Sequence, residues 1–164
     1  MKKNKLHESS KKKKICLISS SGGHFEQLLM LNKLSEKHNV FIVTEKTKYN
    51  KEDERISHFI PQVNRKELMF VPKMVIIGIK SIYILIKEKP DVVISTGVLA
   101  TIPMIYLSHI FHKKTIYIES FAKINSPTQT GSLIYKKKLA NQFYVQWETM
   151  KKYYPNAIYK GGIY

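Results

Sequence analysis

An apolar run that ends in a Ser/Gly turn and leads into a helix constrains the fold of this chain most strongly. Residues Ile15–Ile18 have the composition of a short buried strand, and Ser19–Gly23 are small turn residues. Leucines at helical spacing then predict a helix over His24–Lys37. The turn is neither a G-x-G-x-x-G dinucleotide fingerprint nor a P-loop, which needs Gly-Lys-Ser/Thr. This unit therefore predicts the first strand, turn and helix of an α/β domain.

Two interpretations of this turn remain open: an ordinary βα connection, or a site for a phosphate-type anion. Backbone N–H groups in such a turn point outward, and the helix dipole favours negative charge. Gly22 and Gly23 let the main chain approach a ligand without interference from a Cβ atom. The position of His24 directly after the turn favours the ligand site.

Strands alternate with helices along the rest of the chain. The further predicted strands are Asn39–Thr44, Ile56–Ile60, Asp91–Ser95, Thr115–Ile118 and Gln142–Trp147. The further predicted helices are 72–88, Leu99–His112, Gly131–Asn141 and Glu148–Tyr153. This alternation of largely apolar strands with helices predicts a Rossmann-like, doubly wound parallel sheet. Ligands bind such sheets at the carboxyl ends of the strands, where Ser19–His24, Ser95–Gly97 and Glu119–Ser120 all fall.

The length of 164 residues and a hydrophobic content of 43% predict one domain with a full core. We expect a flexible basic arm over residues 1–14, a single domain over 15–155 and a C-terminal tail over 156–164. Cys16 is the only cysteine, which predicts a core residue in a reducing cytosol. The apolar stretches Met74–Ile86 and Val98–Phe111 are shorter than the ~20 residues of a spanning helix. We therefore expect that the chain does not cross a membrane by itself.

The net charge of +16 comes almost entirely from lysine, because Arg55 and Arg65 are the only arginines. Proteins that read nucleic-acid sequence depend on arginine for bidentate contacts, and no nucleic-acid-binding motif is present. We therefore expect no nucleic-acid partner. A lysine excess fits attraction to an anionic surface, or a lysine-rich genome.

The predicted helix 72–88 carries three lysines seven residues apart, at Lys73, Lys80 and Lys87, with isoleucines beside them. Lysine stems can lie along lipid while their ammonium groups reach the headgroups. The alternative is a mostly buried helix with a solvated lysine ridge. The membrane interpretation predicts contacts from Lys73, Ile76, Ile77, Lys80, Tyr83, Ile84 and Lys87.

An ordered set of motifs carries a family resemblance. The motifs are Ser-Ser-Gly-Gly-His24, Lys89-Pro-Asp-Val-Val-Ile-Ser-Thr-Gly97, Glu119-Ser-Phe-Ala-Lys-Ile, Ser126-Pro-Thr-Gln-Thr-Gly131, Tyr144-Val-Gln-Trp147 and Tyr159-Lys-Gly-Gly-Ile-Tyr164. Together they resemble the PssD/CpsF-type polysaccharide biosynthesis proteins. Those proteins are bacterial relatives of the acceptor-side, membrane-recruiting subunit of the dolichol-linked N-acetylglucosamine transferase. The resemblance covers nearly the whole chain after the basic arm.

The resemblance implies the N-terminal, acceptor-binding half of a GT-B glycosyltransferase, acting in capsular or exopolysaccharide assembly. A separate catalytic subunit would bind the nucleotide sugar, and the acceptor would be a sugar linked to a polyprenyl diphosphate. The chain would lie peripherally on the anionic inner, cytoplasmic face of the cell membrane, without a cofactor or metal. Eukaryotic relatives have an N-terminal membrane helix where this sequence is lysine-rich.

Roles for individual residues follow from this resemblance together with their positions. The acceptor diphosphate would bind Ser20, Ser21, Gly22, Gly23, Thr96 and Gly97. His24 is a candidate catalytic base, or a residue that holds the loop. Glu119 is a candidate base, a sugar ligand, or a structural partner for a lysine such as Lys123. The acceptor sugar would contact the polar loop at Ser126, Thr128 and Thr130, unless this loop is a plain connector.

The C-terminal tail is rich in tyrosine, and the resemblance implies that it contacts the catalytic partner through Tyr159, Gly161, Gly162 and Tyr164. The alternative is a tail that folds back on its own domain. Two other functions remain open. The chain could be a scaffold that recruits and activates a partner without supplying a catalytic group. A self-sufficient transferase is disfavoured because 164 residues hold only one such lobe.

Overall fold

A seven-stranded parallel sheet forms the centre of the protein, whose computed structural model describes residues 11–164. The strands are β1 (Lys14–Ser19), β2 (Asn39–Glu45), β3 (His58–Ile60), β4 (Val92–Ser95), β5 (Lys114–Ile118), β6 (Gln142–Val145) and β7 (Ile158–Tyr159). Their order is β3-β2-β1-β4-β5-β6-β7, and every neighbouring pair is parallel. The predicted Rossmann-like fold is confirmed. Because the strand order reverses between β1 and β4, a crevice opens beyond their carboxyl ends.

In the part of the chain that the structure describes, four α-helices connect the strands and three 3₁₀ segments adjoin them. The helices are α1 (Gly23–Leu29), α2 (Phe70–Glu88), α3 (Ile102–Ile110) and α4 (Gln129–Lys136). The 3₁₀ segments are Met30–Glu36, Leu99–Thr101 and Glu148–Lys152. The first predicted helix is therefore α-helical only to Leu29. Beyond it, the Ser35 hydroxyl donates to the Asn32 carbonyl oxygen at 2.6 Å, the kind of local side-chain bond that competes with a regular helix.

The sheet buries apolar side chains on both faces. Cys16 and Ile18 face α2 and α3, where they pack with Ile77, Ile84 and Met104. The alternate residues of β1 face the opposite way and pack with Phe25 and Leu28 of α1. A third cluster surrounds Tyr117 and Tyr154 at the β5–β6 end. Burial raises the pKa of the Cys16 thiol well above its ordinary value, as expected for the predicted core residue.

Both ends of the described chain join the sheet. Lys14, at the boundary of the predicted arm, begins β1, and its ammonium group lies 2.6 Å from Glu88 Oε2. Residues 1–10 of that arm lie outside the described residues. Ile158 and Tyr159 of the predicted tail form β7 and pair with β6. The C-terminal segment after β7 therefore starts from the same sheet edge as the loops that follow β5 and β6.

Candidate functional site

The turns after β1 and β4 meet at the centre of the sheet. The Ser20 N–H donates to the Gly97 carbonyl oxygen at 3.1 Å. The Thr96 hydroxyl donates to the His24 carbonyl oxygen at 2.9 Å, and His24 Nδ1 lies 2.9 Å from the Thr96 carbonyl oxygen. The predicted convergence of these two turns is therefore present as a hydrogen-bonded unit.

This unit determines how the His24 imidazole is oriented. A carbonyl oxygen only accepts hydrogen bonds, so His24 Nδ1 donates its proton to Thr96. In the neutral ring, Nε2 then has no hydrogen and keeps a free lone pair. His24 is half-buried and lines a cavity, so the ring is both held in place and available to accept a proton. Both roles considered for His24, holding the loop and acting as a base, are compatible with this geometry.

The Ser/Gly turn has fewer free amides than the sequence predicts. The Ser20 N–H is bonded to Gly97, as described above. The Ser21 N–H and hydroxyl both donate to Glu45 Oε2, at 3.2 and 3.3 Å. Gly22 and Gly23 are exposed, and their N–H groups have no acceptor among residues 11–164. Of the four amides expected to bind a diphosphate, only those of Gly22 and Gly23 are available.

Glu45 is a residue of this site that the sequence reasoning missed. It ends β2, is almost fully buried, and also accepts the Val63 N–H at 3.1 Å through Oε1. A buried carboxylate satisfied by three donors acts as a brace for the turn. The sequence did contain a signal for Glu45: like Glu119, it is an acidic residue at the carboxyl end of an apolar strand.

Thr96 and Gly97 support the site from below and do not face a ligand. Both are buried, and the Gly97 N–H donates to Ser95 Oγ at 3.0 Å. The Thr96 hydroxyl already donates its hydrogen bond to the His24 carbonyl oxygen. Their predicted contact with the diphosphate is wrong for this conformation, because neither residue has a free donor at the surface. Gly97 has a positive φ of 92°, and a Cβ there would lie 3.1 Å from the Tyr117 hydroxyl.

Glu119 is 1% exposed and is held by hydrogen bonds on both carboxylate oxygens. Tyr154 donates its hydroxyl to Oε2 at 2.6 Å, Thr128 Oγ1 lies 2.9 Å from Oε1, and the Ser120 N–H donates to Oε1 at 2.9 Å. These donors favour the structural alternative for Glu119, although its partners are not the lysine considered from the sequence. Burial, together with the hydrogen bond and charge of Glu119, raises the pKa of the Tyr154 phenol.

The loop between β5 and α4 has one exposed hydroxyl among its three predicted sugar ligands. Ser126 is exposed. Thr128 caps α4, since its Oγ1 accepts the Gly131 N–H at 2.8 Å. Thr130 is buried, so it has no surface with which to contact a sugar. The loop is therefore anchored by Glu119, and only Ser126 remains free to bind a ligand.

A cavity of about 460 Å³ opens beside His24. Its walls come from the start of α1, from the loop after β5 and from the C-terminal segment: Gly23, His24, Gln27, Ser120, Phe121, Ala122 and Tyr164. The Phe121 ring packs against Trp147 and Tyr164, with ring centroids 4.9 and 5.0 Å apart. Tyr164, predicted from the sequence only as a partner contact, thus forms part of this wall.

The predicted membrane-contact residues of α2 divide into two groups. Ile76, Tyr83, Lys80 and Lys87 are exposed, and Lys73 is half-buried in an ion pair with Glu67 at 2.7 Å. Ile77 and Ile84 are buried against β1 and β4, so their assignment to a lipid surface is wrong. Seven-residue spacing brings both onto the side that faces the sheet. Within residues 11–164, no helix combines the length and apolar character needed to cross a bilayer.

Solved structures share this fold. MurG from Acinetobacter baumannii matches with a TM-score of 0.67 and 16% identity, over 84% of this chain and 42% of MurG. UDP-N-acetylglucosamine 2-epimerase from Rickettsia bellii matches with a TM-score of 0.70 and 13% identity, over 93% of this chain and 45% of the epimerase. The likeness is one of fold, and this chain spans less than half of each of those proteins.

Relatives of similar length are detected by sequence. The human UDP-N-acetylglucosamine transferase subunit ALG14 is 27% identical over an alignment of 180 positions, gaps included, which spans 91% of this chain and 82% of the human protein. The Candida albicans protein of the same name is 25% identical over an alignment of 186 positions, gaps included, which spans 96% of this chain and 84% of the relative. The family described as oligosaccharide biosynthesis protein Alg14 like matches residues 15–163, nearly all of the described chain. The chain therefore belongs to the Alg14-like family of oligosaccharide biosynthesis proteins.

Proposed function

We propose that this chain is the acceptor-binding, membrane-associating subunit of a two-chain glycosyltransferase of the PssD/CpsF type. Its acceptor is a sugar on a polyprenyl diphosphate, in capsular or exopolysaccharide biosynthesis. The observation that carries the proposal is the His24 cavity at the switch point of a single Rossmann-like lobe. Relatives named as subunits of a UDP-N-acetylglucosamine transferase, which this chain matches over most of their length, support a second chain that binds the nucleotide sugar.

His24 is the base in this proposal. The attacking hydroxyl of the acceptor sugar gives its proton to His24 Nε2 as its oxygen bonds to the anomeric carbon of the donor sugar. The nucleoside diphosphate leaves with the electron pair of the broken bond, on the partner subunit. The hydrogen bond from Nδ1 to Thr96 holds the tautomer that this transfer needs.

The diphosphate of the acceptor binds at Gly22 and Gly23, whose amides are exposed and without an acceptor in the described chain. Gly22 has a positive φ of 77°, a conformation that suits glycine, and it is exposed, unlike Ser20. The Glu45 carboxylate keeps the anion away from Ser21, because like charges repel.

The membrane surface of the protein is a stripe on the outer side of α2 and the end of α3. Exposed apolar residues recur every three or four positions along α2, and the neighbouring α3 adds three more: Val71, Val75, Ile79, Ile82, Ile86, Tyr106, Ile110 and Phe111. The exposed residues Ile76 and Tyr83 lie between this apolar stripe and the lysines at 73, 80 and 87. An anionic inner leaflet attracts each such lysine by about 1 kcal/mol. The apolar stripe and these lysines together support a peripheral position on the cytoplasmic face of the cell membrane.

The partner subunit contacts the C-terminal segment at Tyr159, Gly161, Gly162 and Tyr164. Tyr159 lies on β7, an edge strand of the sheet, with an exposed side chain. Gly162 packs against Phe121, where a Cβ would lie 3.2 Å from the ring. A partner bound here would lie next to the His24 cavity, which is where a donor sugar has to arrive.

The scaffold alternative, in which this chain only recruits and activates its partner, gains support from Glu119. The sequence suggested two catalytic candidates, His24 and Glu119. Because Glu119 is buried and hydrogen-bonded to Tyr154, only His24 remains as a candidate base. The two functions predict different behaviour of His24 variants.

The test is sugar transfer to a polyprenyl-diphosphate acceptor by this chain purified with its donor-binding subunit. His24→Asn keeps a side-chain N–H in the place of Nδ1, which can donate to the Thr96 carbonyl oxygen. It lacks the equivalent of Nε2, the nitrogen proposed to accept the proton. A base predicts a loss of about 10²–10⁴-fold in kcat with the melting temperature preserved. Near-normal transfer supports the scaffold, and turnover by this chain alone contradicts the two-chain proposal.

A further inference from the structure

Gln27 has an unusual environment in the candidate site. It lies on α1, three residues after His24, so both side chains are on one side of the helix. Gln27 is 2% exposed and lines the cavity, and its amide nitrogen has no hydrogen-bond partner among residues 11–164. Nothing in the sequence motifs marked this residue.

The packing of α1 against the sheet does not require an amide side chain at position 27. The other two buried side chains of α1 are Phe25 and Leu28, which pack into the core. A buried N–H without an acceptor is unfavourable, and buried polar groups are bonded in the great majority of cases. An aliphatic side chain of similar size would satisfy the packing without that loss. The unpaired amide therefore indicates an acceptor that arrives from the cavity.

The walls of the cavity indicate what chemistry that acceptor has. Although the chain contains 28 lysines and arginines, none of those within residues 11–164 lines the cavity. Gly23 is shared with the proposed diphosphate site. Once the diphosphate occupies the Gly22 and Gly23 amides, the rest of this space has no lysine or arginine to offer a second charged group, so we expect the group beside Gln27 to be uncharged. Phe121, Tyr164 and Ala122 provide an apolar side, and Gln27, Ser120 and His24 provide hydrogen-bonding groups. A pyranose ring, with apolar faces and a polar edge, matches both.

We propose that Gln27 recognises the first sugar of the acceptor by donating its amide N–H to a sugar oxygen. This inference rests on the proposed acceptor-binding function. It separates the acceptor into two parts, with the diphosphate at Gly22 and Gly23 and the sugar inside the cavity. His24 and Gln27 then contact the same ring from adjacent turns of α1, so that Gln27 orients the hydroxyl that His24 deprotonates.

The experiment measures binding by calorimetry to the full-length chain. The probes are a short, water-soluble prenyl diphosphate without sugar and the same lipid carrying glucose or N-acetylglucosamine. Gln27→Leu is expected to bind the sugar-bearing probes about ten- to a hundredfold more weakly, and the sugarless probe as tightly as the wild type. A loss confined to N-acetylglucosamine assigns the acetamido carbonyl as the acceptor, and an equal loss with glucose assigns a ring hydroxyl.

Gln129→Leu, on the exposed start of α4, is the matched control and leaves all affinities unchanged. Gln27→Met provides a second variant in case the branched side chain disturbs the packing. Wild type that binds sugar-bearing and sugarless probes equally, or a Gln27→Leu chain with undiminished preference for the sugar, overturns the role of Gln27 while acceptor binding stands. Wild type that binds none of the probes overturns the acceptor-binding proposal as well.

Discussion

Glu45 and Ser21 are joined by two hydrogen bonds, from the Ser21 N–H and hydroxyl to Glu45 Oε2 at 3.2 and 3.3 Å. They connect the end of β2 to the turn after β1, across 24 residues of chain. The contact explains why the Ser/Gly turn presents its glycines, and not its serines, to the surface. It also occupies both Ser21 donors, so that in the proposed function only the Gly22 and Gly23 amides are left for the acceptor diphosphate.

Glu45→Gln is expected to destabilise the protein by about 1–3 kcal/mol, because the amide group replaces one acceptor oxygen with a donor that faces other donors. Chemical denaturation measures the change. Glu36→Gln, at an exposed position, is the control and is expected to stay within about 0.5 kcal/mol of the wild type. Equal stability of the two variants would show that Glu45 does not brace the turn.

Gly23→Val tests the diphosphate site without a large effect on the fold. A Cβ atom at Gly23 would meet no other residue within 4 Å, so a side chain there extends into open space. We expect binding of prenyl diphosphate to fall at least about tenfold, because the branched side chain covers the exposed amides. Stability is expected to change by about 0.5 kcal/mol. Unchanged diphosphate binding would contradict the assignment.

Two glycines in helices are expected to respond to alanine in opposite directions. At Gly131 a Cβ would overlap the Glu119 carboxylate and lie 2.8 Å from Thr128 Oγ1, so Gly131→Ala destabilises by about 1–3 kcal/mol. Gly78, within α2, has open space around it, so Gly78→Ala stabilises by about 0.5–1 kcal/mol through helix propensity. Thermal unfolding of both variants provides the comparison. If Gly131→Ala were stabilising, the contact of Gly131 with Glu119 and Thr128 would have room for a methyl group, contrary to this expectation.

Tyr154→Phe is expected to change how stability depends on alkaline pH. Because burial and Glu119 raise the pKa of the Tyr154 phenol in the folded state, its contribution is complete below the unfolded value of about 10 and is lost as the pH rises above it. The variant loses about 1.5–3 kcal/mol at neutral pH, since the hydrogen bond is to a charged group. The difference between the two proteins should shrink above pH ~10. A difference that stays constant with pH would exclude the proposed coupling to Glu119.

Ile79→Glu tests the apolar stripe. Ile79 is 62% exposed, so the substitution is expected to leave stability nearly unchanged. Binding to anionic vesicles in flotation experiments is expected to fall about ten- to a hundredfold, from lost apolar burial and added negative charge. Leu133→Glu, at an exposed leucine of α4, carries the same charge change on another surface and keeps vesicle binding. Binding by the wild type should weaken with salt. Equal flotation of both variants would place the lipid surface elsewhere.

Features that depend on neighbouring residues could be predicted from the sequence. Apolar runs and small-residue turns predicted six of the seven strands, and helical spacing predicted α2 to its end at Glu88. The place of His24 at the mouth of the first turn followed from the same local pattern. Lys80 and Lys87 of α2 are exposed, whereas Ile77 and Ile84, which were assigned with them to a lipid contact, are buried. The side of a helix that meets the sheet depends on how the helix docks.

The sequence by itself determined the order of strands and helices and the strand ends at which polar groups gather, because periodicity and turn chemistry act over a few residues. Only the tertiary structure decided which of those groups remain free. Glu45 accepts hydrogen bonds from both Ser21 donors, and Tyr154 donates to Glu119. The Gln27 amide nitrogen has no partner within residues 11–164 and lies beside a cavity wall that includes Tyr164. Each of these outcomes depends on contacts between segments far apart in the chain, which compete for the same hydrogen bonds.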